Sequence, residues 1–79
     1  DPSATLELLG LTPAEARLAS EVGNGLSPKQ AATRLGITTN TARSTLQVIY
    51  EKLGIGKQSE LARIVTRLEV FGRPPPATR

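Results

Sequence analysis

Residues 27–54 read SPKQAATRLGITTNTARSTLQVIYEKLG, and the pattern of this stretch decides the fold. Ser27 precedes a proline and stands three residues before Gln30, which is the spacing of a capping box at the start of a helix. Gly36 can end that helix in a left-handed conformation, and the Thr38 hydroxyl can cap the next helix. The stretch therefore predicts two helices joined by a short turn, over residues 28–35 and 39–53.

The same start and stop signals predict one helix before this pair and one after it. Thr12, Pro13 and Glu15 form a second capping box, and Gly25 follows the helix that they begin. No segment shows the apolar–polar alternation of a half-buried strand. The sequence therefore predicts an all-α, four-helix domain over residues 11–71, with a central helix-turn-helix and further helices over residues 13–23 and 58–71.

The two ends of the chain lie outside this predicted domain. Residues 1–10 contain three leucines, and they predict either a short helix that packs on the core or the end of a linker. Residues 72–79 include three consecutive prolines, which remove amide donors and favour extended backbone. We expect this second segment to be a disordered tail.

Apolar residues recur at helical spacing in each predicted helix and define one small core. In the helix over residues 39–53, this apolar stripe consists of Ala42, Leu46, Ile49 and Leu53. The other helices and the turn contribute Leu18, Ala19, Val22, Ala31, Leu35, Ile37, Leu61, Ile64 or Val65, Leu68 and Phe71.

The opposite side of the helix over residues 39–53 is polar. We call it the polar face, and it consists of Asn40, Arg43, Ser44, Gln47 and Glu51. Arginine can donate to guanine, glutamine can pair with adenine, and serine can bond several bases. The second helix of a DNA-binding helix-turn-helix enters the major groove with its N-terminal half, so Arg43, Ser44 and Gln47 are candidate base contacts. A merely solvated surface is the plainer alternative for a polar helix face.

Charge is unevenly distributed along the chain. Residues 1–28 carry one basic residue against four acidic ones, whereas residues 29–79 carry nine basic residues against three acidic ones. Such a basic segment suits a polyanionic partner, although many small domains are mildly basic for solubility alone. The candidate phosphate contacts in this segment are Thr38, Thr39, Asn40, Lys52 and Lys57.

The composition argues against several other classes of protein. The 79 residues contain no cysteine and no histidine, so neither a disulfide nor a Cys/His zinc site can form. No nucleophile stands near a residue that could activate it, and we expect no catalytic residue, no bound metal and no cofactor. No apolar run reaches the roughly 20 residues of a membrane span, and the first residues lack the layout of a secretory signal. We expect a cytoplasmic protein that does not bind membranes.

An ordered series of short motifs runs through most of the chain: LTPAE at 11–15, GLS at 25–27, LGI at 35–37, NT at 40–41, KLG at 52–54 and EL at 60–61. In order and spacing, this series resembles the LuxR-type (GerE-like) domain of bacterial transcription regulators, over residues 11 to 68. The resemblance implies four helices, the third of which binds double-stranded DNA in the major groove, and a homodimer formed through the fourth helix. It places the base contacts of that family on Arg43, Ser44 and Gln47. The motifs suit a free-standing regulator or the C-terminal module of a larger one.

The chain also departs from the LuxR-type pattern at several positions. Ala31, Ala42 and Thr45 stand where isoleucine, valine and histidine are usual, which alters packing or a backbone contact. Gln58 stands where arginine is common. This substitution puts in doubt any ion pair or phosphate contact at that position, although Lys57 lies beside it.

The last predicted helix carries more apolar residues than a single buried stripe requires. We take four of them as a candidate dimer interface, with completion of the small core as the alternative. They are Ala62, Val65, Val70 and Phe71.

Other functions are compatible with the same fold. A promoter-reading domain of a sigma factor would bind core RNA polymerase, but such domains tend to have a more basic recognition helix than residues 39–53. A protein-interaction module could keep the fold without binding DNA, and the DNA-binding appendage of a serine recombinase also has a compatible fold. RNA polymerase is therefore a further candidate partner beside DNA.

Overall fold

The computed structural model describes residues 2–72, and the side chains of residues 2–70. All the secondary structure in this range is helical, which confirms the all-α class. Four of the helices begin where the sequence predicts and end within one residue of the predicted end. The structure adds an N-terminal helix and so has one more than the predicted four: α1 (Pro2–Leu8), α2 (Pro13–Gly23), α3 (Pro28–Leu35), α4 (Thr39–Leu53) and α5 (Gln58–Gly72).

Both predicted capping boxes are present. The Thr12 N–H donates to Glu15 Oε1 at 2.9 Å, and the Glu15 N–H donates to Thr12 Oγ1 at 3.1 Å. Ser27 and Gln30 repeat the same pair of bonds at the start of α3, at 2.9 and 3.1 Å. Each box satisfies two amides that a helix start otherwise leaves without an acceptor, so both helix starts are specified locally.

The start of α4 is capped differently. The Thr41 N–H donates to Thr38 Oγ1 at 3.1 Å, and the Thr38 hydroxyl donates to Thr41 Oγ1 at 2.8 Å. The hydroxyl of Thr38 thus caps the helix as predicted. The Thr41 side chain accepts from the Thr38 hydroxyl and not from the Thr38 backbone N–H, as the third residue of a capping box would.

The ends of α3 and α4 share one design. Gly36 and Gly54 have φ of 71° and 70°, in the left-handed region that suits glycine. The residue after each glycine donates back to the helix, from the Ile37 N–H to the Ala32 oxygen at 3.0 Å and from the Ile55 N–H to the Tyr50 oxygen at 2.9 Å. These are Schellman motifs, and they stop both helices at the predicted glycines.

Helix α2 lies at the centre of the domain and packs against each of the other four helices. Helix α4 is held mainly by α2 and α3, while α5 packs on α2 and α1. The core contains residues from all five helices and the turn before α2: Leu6, Leu11, Ala16, Leu18, Ala19, Val22, Ala31, Ala32, Ala42, Leu46, Ile49, Leu61 and Val65.

Helix α1 belongs to this core because Leu6 is fully buried. Two alternatives were open for residues 1–10, a short helix that packs on the core or the end of a linker. Pro2–Leu8 is a short helix that packs on α2 and α5. Leu8 and Leu9, in contrast, are exposed.

The prediction that Ile37 belongs to the core is wrong. Ile37 is 37% exposed and does not pack against the core, whereas Ile55, which follows Gly54 in the same kind of motif, does. The predicted core positions Leu35, Leu53, Ile64 and Leu68 are half-buried at the border of the core. Of the predicted tail at 72–79, Gly72 is instead the last residue of α5, and residues 73–79 lie outside the described part of the chain, as does the side chain of Phe71.

Candidate nucleic-acid interface

The polar face of α4 lies on the exposed side of the helix, opposite the side that packs into the core. On the buried side of this helix, Ala42 and Ile49 are fully buried and Leu46 is 4% exposed, because α2 and α3 cover them. The five residues of the polar face are all exposed. The predicted division of α4 into an apolar stripe and an opposite polar face is therefore confirmed.

The three candidate base contacts lie together on this exposed surface, although their hydrogen-bonding states differ. Within the described residues, neither the Arg43 guanidinium nor the Gln47 amide has a hydrogen-bond or ion-pair partner. Ser44 donates its hydroxyl proton to the Asn40 carbonyl oxygen at 3.0 Å. In this arrangement the Ser44 oxygen faces outward only as an acceptor.

The start of α4 offers fewer side-chain donors than the sequence suggests. The Thr38 hydroxyl is committed to the cap, since it accepts from the Thr41 amide and donates to the Thr41 side chain. Thr39 is half-buried and Asn40 is exposed. As at any helix start, the first amides have no acceptor within the helix and carry partial positive charge, so Thr39 and Asn40 can meet an anion through their backbone.

Lys52 is directed away from the polar face. Its Nζ donates to Glu15 Oε1 at 2.7 Å, and the Glu15 side chain is only 13% exposed. Lys52 follows Arg43 by nine residues, which is about half a turn around the helix. The ion pair joins the end of α4 to the start of α2, and the prediction of Lys52 as a phosphate contact does not fit this geometry.

The same ion pair affects the acid strength of Glu15. The hydrogen bond from Lys52 and the one from the Thr12 backbone both favour the carboxylate, and together they lower the pKa of Glu15 below its ordinary value. One carboxylate thus completes a capping box and binds a lysine of another helix. A second ion pair, Arg34 Nε to Glu21 Oε1 at 3.4 Å, joins α3 to α2.

Lys57 remains exposed just before α5, where it lines a shallow hollow with Ser59, Glu60 and Arg63. The Glu60 carboxylate accepts from the Gly56 N–H at 2.9 Å, so part of its charge is used to cap the helix. Arg63 is a candidate cationic contact that the sequence analysis missed. In the sequence it stands three residues after Glu60, which places these two side chains on the same side of α5.

Gln58, which stands where arginine is common in the LuxR-type pattern, makes a hydrogen bond within the protein. Its Nε2 donates to the Leu26 carbonyl oxygen at 3.3 Å, between the start of α5 and the segment that joins α2 to α3. The side chain is half-buried and holds these two segments together. A backbone contact therefore occupies the position where an arginine would carry charge.

The four candidate dimer residues of α5 do not share one surface. Val65 is fully buried in the core, so it is not exposed on the surface that a second copy would contact. Val70 is 63% exposed, Ala62 is half-buried, and the Phe71 side chain lies outside the described residues. Of these four apolar residues, Val65 therefore belongs to the core.

The described residues contain neither a candidate membrane span nor a candidate metal site. Among residues 2–72, no helix has the length and apolar character needed to cross a membrane. No group of three acidic side chains in that range is arranged to hold a metal ion.

Comparison of the chain with protein-family models, with curated proteins and with solved structures found no match. Function is therefore inferred from the geometry of α4 and from the resemblance in sequence motifs.

Proposed function

We propose that the chain is a sequence-specific DNA-binding module of a LuxR-type bacterial transcription regulator, and that it binds the major groove with α4. The observation that carries the proposal is the exposed polar face, on a helix whose other side packs against α2 and α3. The major groove is wide enough to admit an α-helix, and helix-turn-helix proteins insert the second helix of the motif.

Each candidate base contact has a distinct role in this proposal. Arg43 donates two hydrogen bonds to the O6 and N7 of a guanine, and Gln47 pairs with the N7 and N6 amino group of an adenine. Ser44 accepts from a cytosine or adenine amino group, because its own proton is bound to Asn40.

Phosphate binding is assigned to a smaller set than the sequence predicts. The set comprises the backbone amides at Thr39 and Asn40 and the exposed side chains of Lys57 and Arg63, which have no ion-pair partner among the described residues. Lys52 is left out of this set because its ammonium group is bound to Glu15 at 2.7 Å, on the side of α4 away from Arg43. With Glu51 opposing Arg43 on the polar face, a single copy of the module has little net charge there, and pairing of two copies on DNA would supply the missing affinity.

The test begins with selection of bound duplexes from a random DNA pool, followed by Kd measurements on the selected site at one fixed salt concentration. Arg43→Ala should weaken binding by about 5- to 150-fold and relax the preference at one base pair. Arg17→Ala is the matched control, because Arg17 is an exposed arginine of α2 that lines a hollow with α1 and α3 residues. Unchanged affinity of Arg43→Ala would remove Arg43 from the interface. If no sequence is enriched from the pool, the module does not read DNA and a protein-interaction function takes precedence.

A dimer formed through α5 is the second part of the proposal, now restricted to Ala62, Val70 and Phe71. Val70 supports it because a valine that is 63% exposed has no partner in its own core. Sedimentation of the parent and of Val70→Asp, with and without the selected duplex, tests this assignment. A monomeric mass of the parent in both conditions would exclude the dimer.

A regulator of this class acts on the chromosome, so the proposal places the protein in the bacterial cytoplasm. RNA polymerase is then a candidate partner, and co-purification of the chain with the core enzyme would test this further contact.

A further inference from the structure

Val48 is the one clearly exposed apolar residue on α4. Its side chain is 40% exposed, whereas the apolar stripe of the helix is buried or half-buried by α2 and α3. It lies one turn after Ser44 and directly after Gln47, at the border of the polar face. An apolar side chain is therefore presented beside two of the proposed base contacts.

The two neighbours of Val48 along the helix surface, Ser44 and Lys52, each donate a hydrogen bond within the protein. One turn before it, the Ser44 hydroxyl proton is bound to the Asn40 carbonyl oxygen at 3.0 Å. One turn after it, the Lys52 ammonium is bound to Glu15 at 2.7 Å. The row formed by Ser44, Val48 and Lys52 thus differs from the adjacent row that contains Arg43 and Gln47, where the donors are free.

We propose that Val48 is a specificity-determining residue that packs against the C5-methyl group of a thymine. Thymine is the only one of the four DNA bases that presents a methyl group in the major groove, and apolar side chains recognise it by contact. The inference rests on the proposed function, since it assumes that α4 lies in that groove. It adds an apolar position to an interface that otherwise selects bases by hydrogen bonds.

The experiment replaces thymine by deoxyuridine, one position at a time, in the duplex selected by the parent chain. This change removes the methyl group and leaves every hydrogen-bonding group of the base in place. Burial of one methyl group corresponds to a change in Kd of about fourfold. We expect one thymine in each bound site at which the parent loses about this factor, and Val48→Ala should bind the thymine and deoxyuridine duplexes equally.

The matched control is Leu8→Ala, which truncates an apolar residue that is 87% exposed at the end of α1. This variant should retain the parent's full preference for thymine over deoxyuridine. The inference is overturned if no position shows a methyl preference, or if Val48→Ala keeps the preference unchanged. Both results leave the proposed function standing, because the parent still binds its selected duplex. Absence of any selected duplex would instead overturn the proposed function and this inference together.

Discussion

Gly23, the last residue of α2, faces Val65 of α5 without room for a side chain, which makes Gly23→Ala an informative perturbation. A Cβ atom at this position would lie 2.4 Å from Val65 Cγ2, 2.7 Å from Val65 Cβ and 3.1 Å from Val65 Cγ1. Non-bonded carbon atoms prefer separations of about 3.5–4.0 Å, so the two helices would have to separate by about 1 Å. Val65 cannot turn aside easily, because it is fully buried and its β-branched side chain has a stiff χ1 angle.

The size of the effect follows from two opposing contributions. Overpacking of a close-packed core typically costs about 1–3 kcal/mol. Replacement of glycine by alanine within a helix recovers up to about 1 kcal/mol, and less at the last residue of a helix such as Gly23. We therefore expect Gly23→Ala to lower the free energy of unfolding by about 1–2 kcal/mol, which for a domain of this size lowers Tm by about 5–15 °C.

Thermal and urea unfolding followed by circular dichroism would measure this change, with Val65→Ala as the partner variant. Val65→Ala alone destabilises the protein because it leaves a cavity, whereas in the double variant the new methyl group occupies part of that space. The double variant should therefore be more stable than the sum of the single effects predicts. A Gly23→Ala protein as stable as the parent, or strictly additive effects, would show that α2 and α5 do not meet as described.

Three further predictions concern the interface, pH and the N-terminal helix. Lys52→Gln should leave the salt dependence of DNA binding unchanged, whereas Lys57→Gln should reduce the slope of log K against log salt by about one; equal slopes for the two variants would contradict the assignment. Because the pKa of Glu15 is lowered in the folded protein, its contribution to stability should be complete above its unfolded pKa and be lost as pH falls through the folded pKa. Urea midpoints of the parent should therefore fall more steeply with acidification than those of Glu15→Gln, and parallel curves would rule out this contribution. Leu6→Ala should cost about 2–5 kcal/mol in unfolding experiments because Leu6 is fully buried, and a loss below about 0.5 kcal/mol would mean that α1 is not part of the domain.

Helices α2, α3 and α4 could be predicted closely because their boundaries depend on neighbouring residues. The capping boxes at Thr12 and Ser27 and the glycines that follow α3 and α4 act over three to five residues, so the chemistry of each boundary is visible in a short window of sequence. The polar face was predictable for the same reason, since it follows from the helical repeat alone.

The charges of the candidate site were less predictable. The basic second part of the chain appeared free to bind a polyanion, but two of its cations, Arg34 and Lys52, form ion pairs with acidic residues of α2. The sequence shows how many charges of each sign are present. It does not show which of them neutralise one another across the fold.

The sequence by itself determined the helical class, four of the five helices and the side of α4 that is exposed, because these depend on local hydrogen bonds and on helical periodicity. Only the tertiary structure decided that α1 joins the core through Leu6, that Lys52 is bound to Glu15, and that Val65 is buried while Val70 is exposed. The physical reason is that each of these outcomes depends on a neighbour from a different helix. Lys52 and Glu15, for example, are 37 residues apart in the chain and meet only because α4 packs across the start of α2.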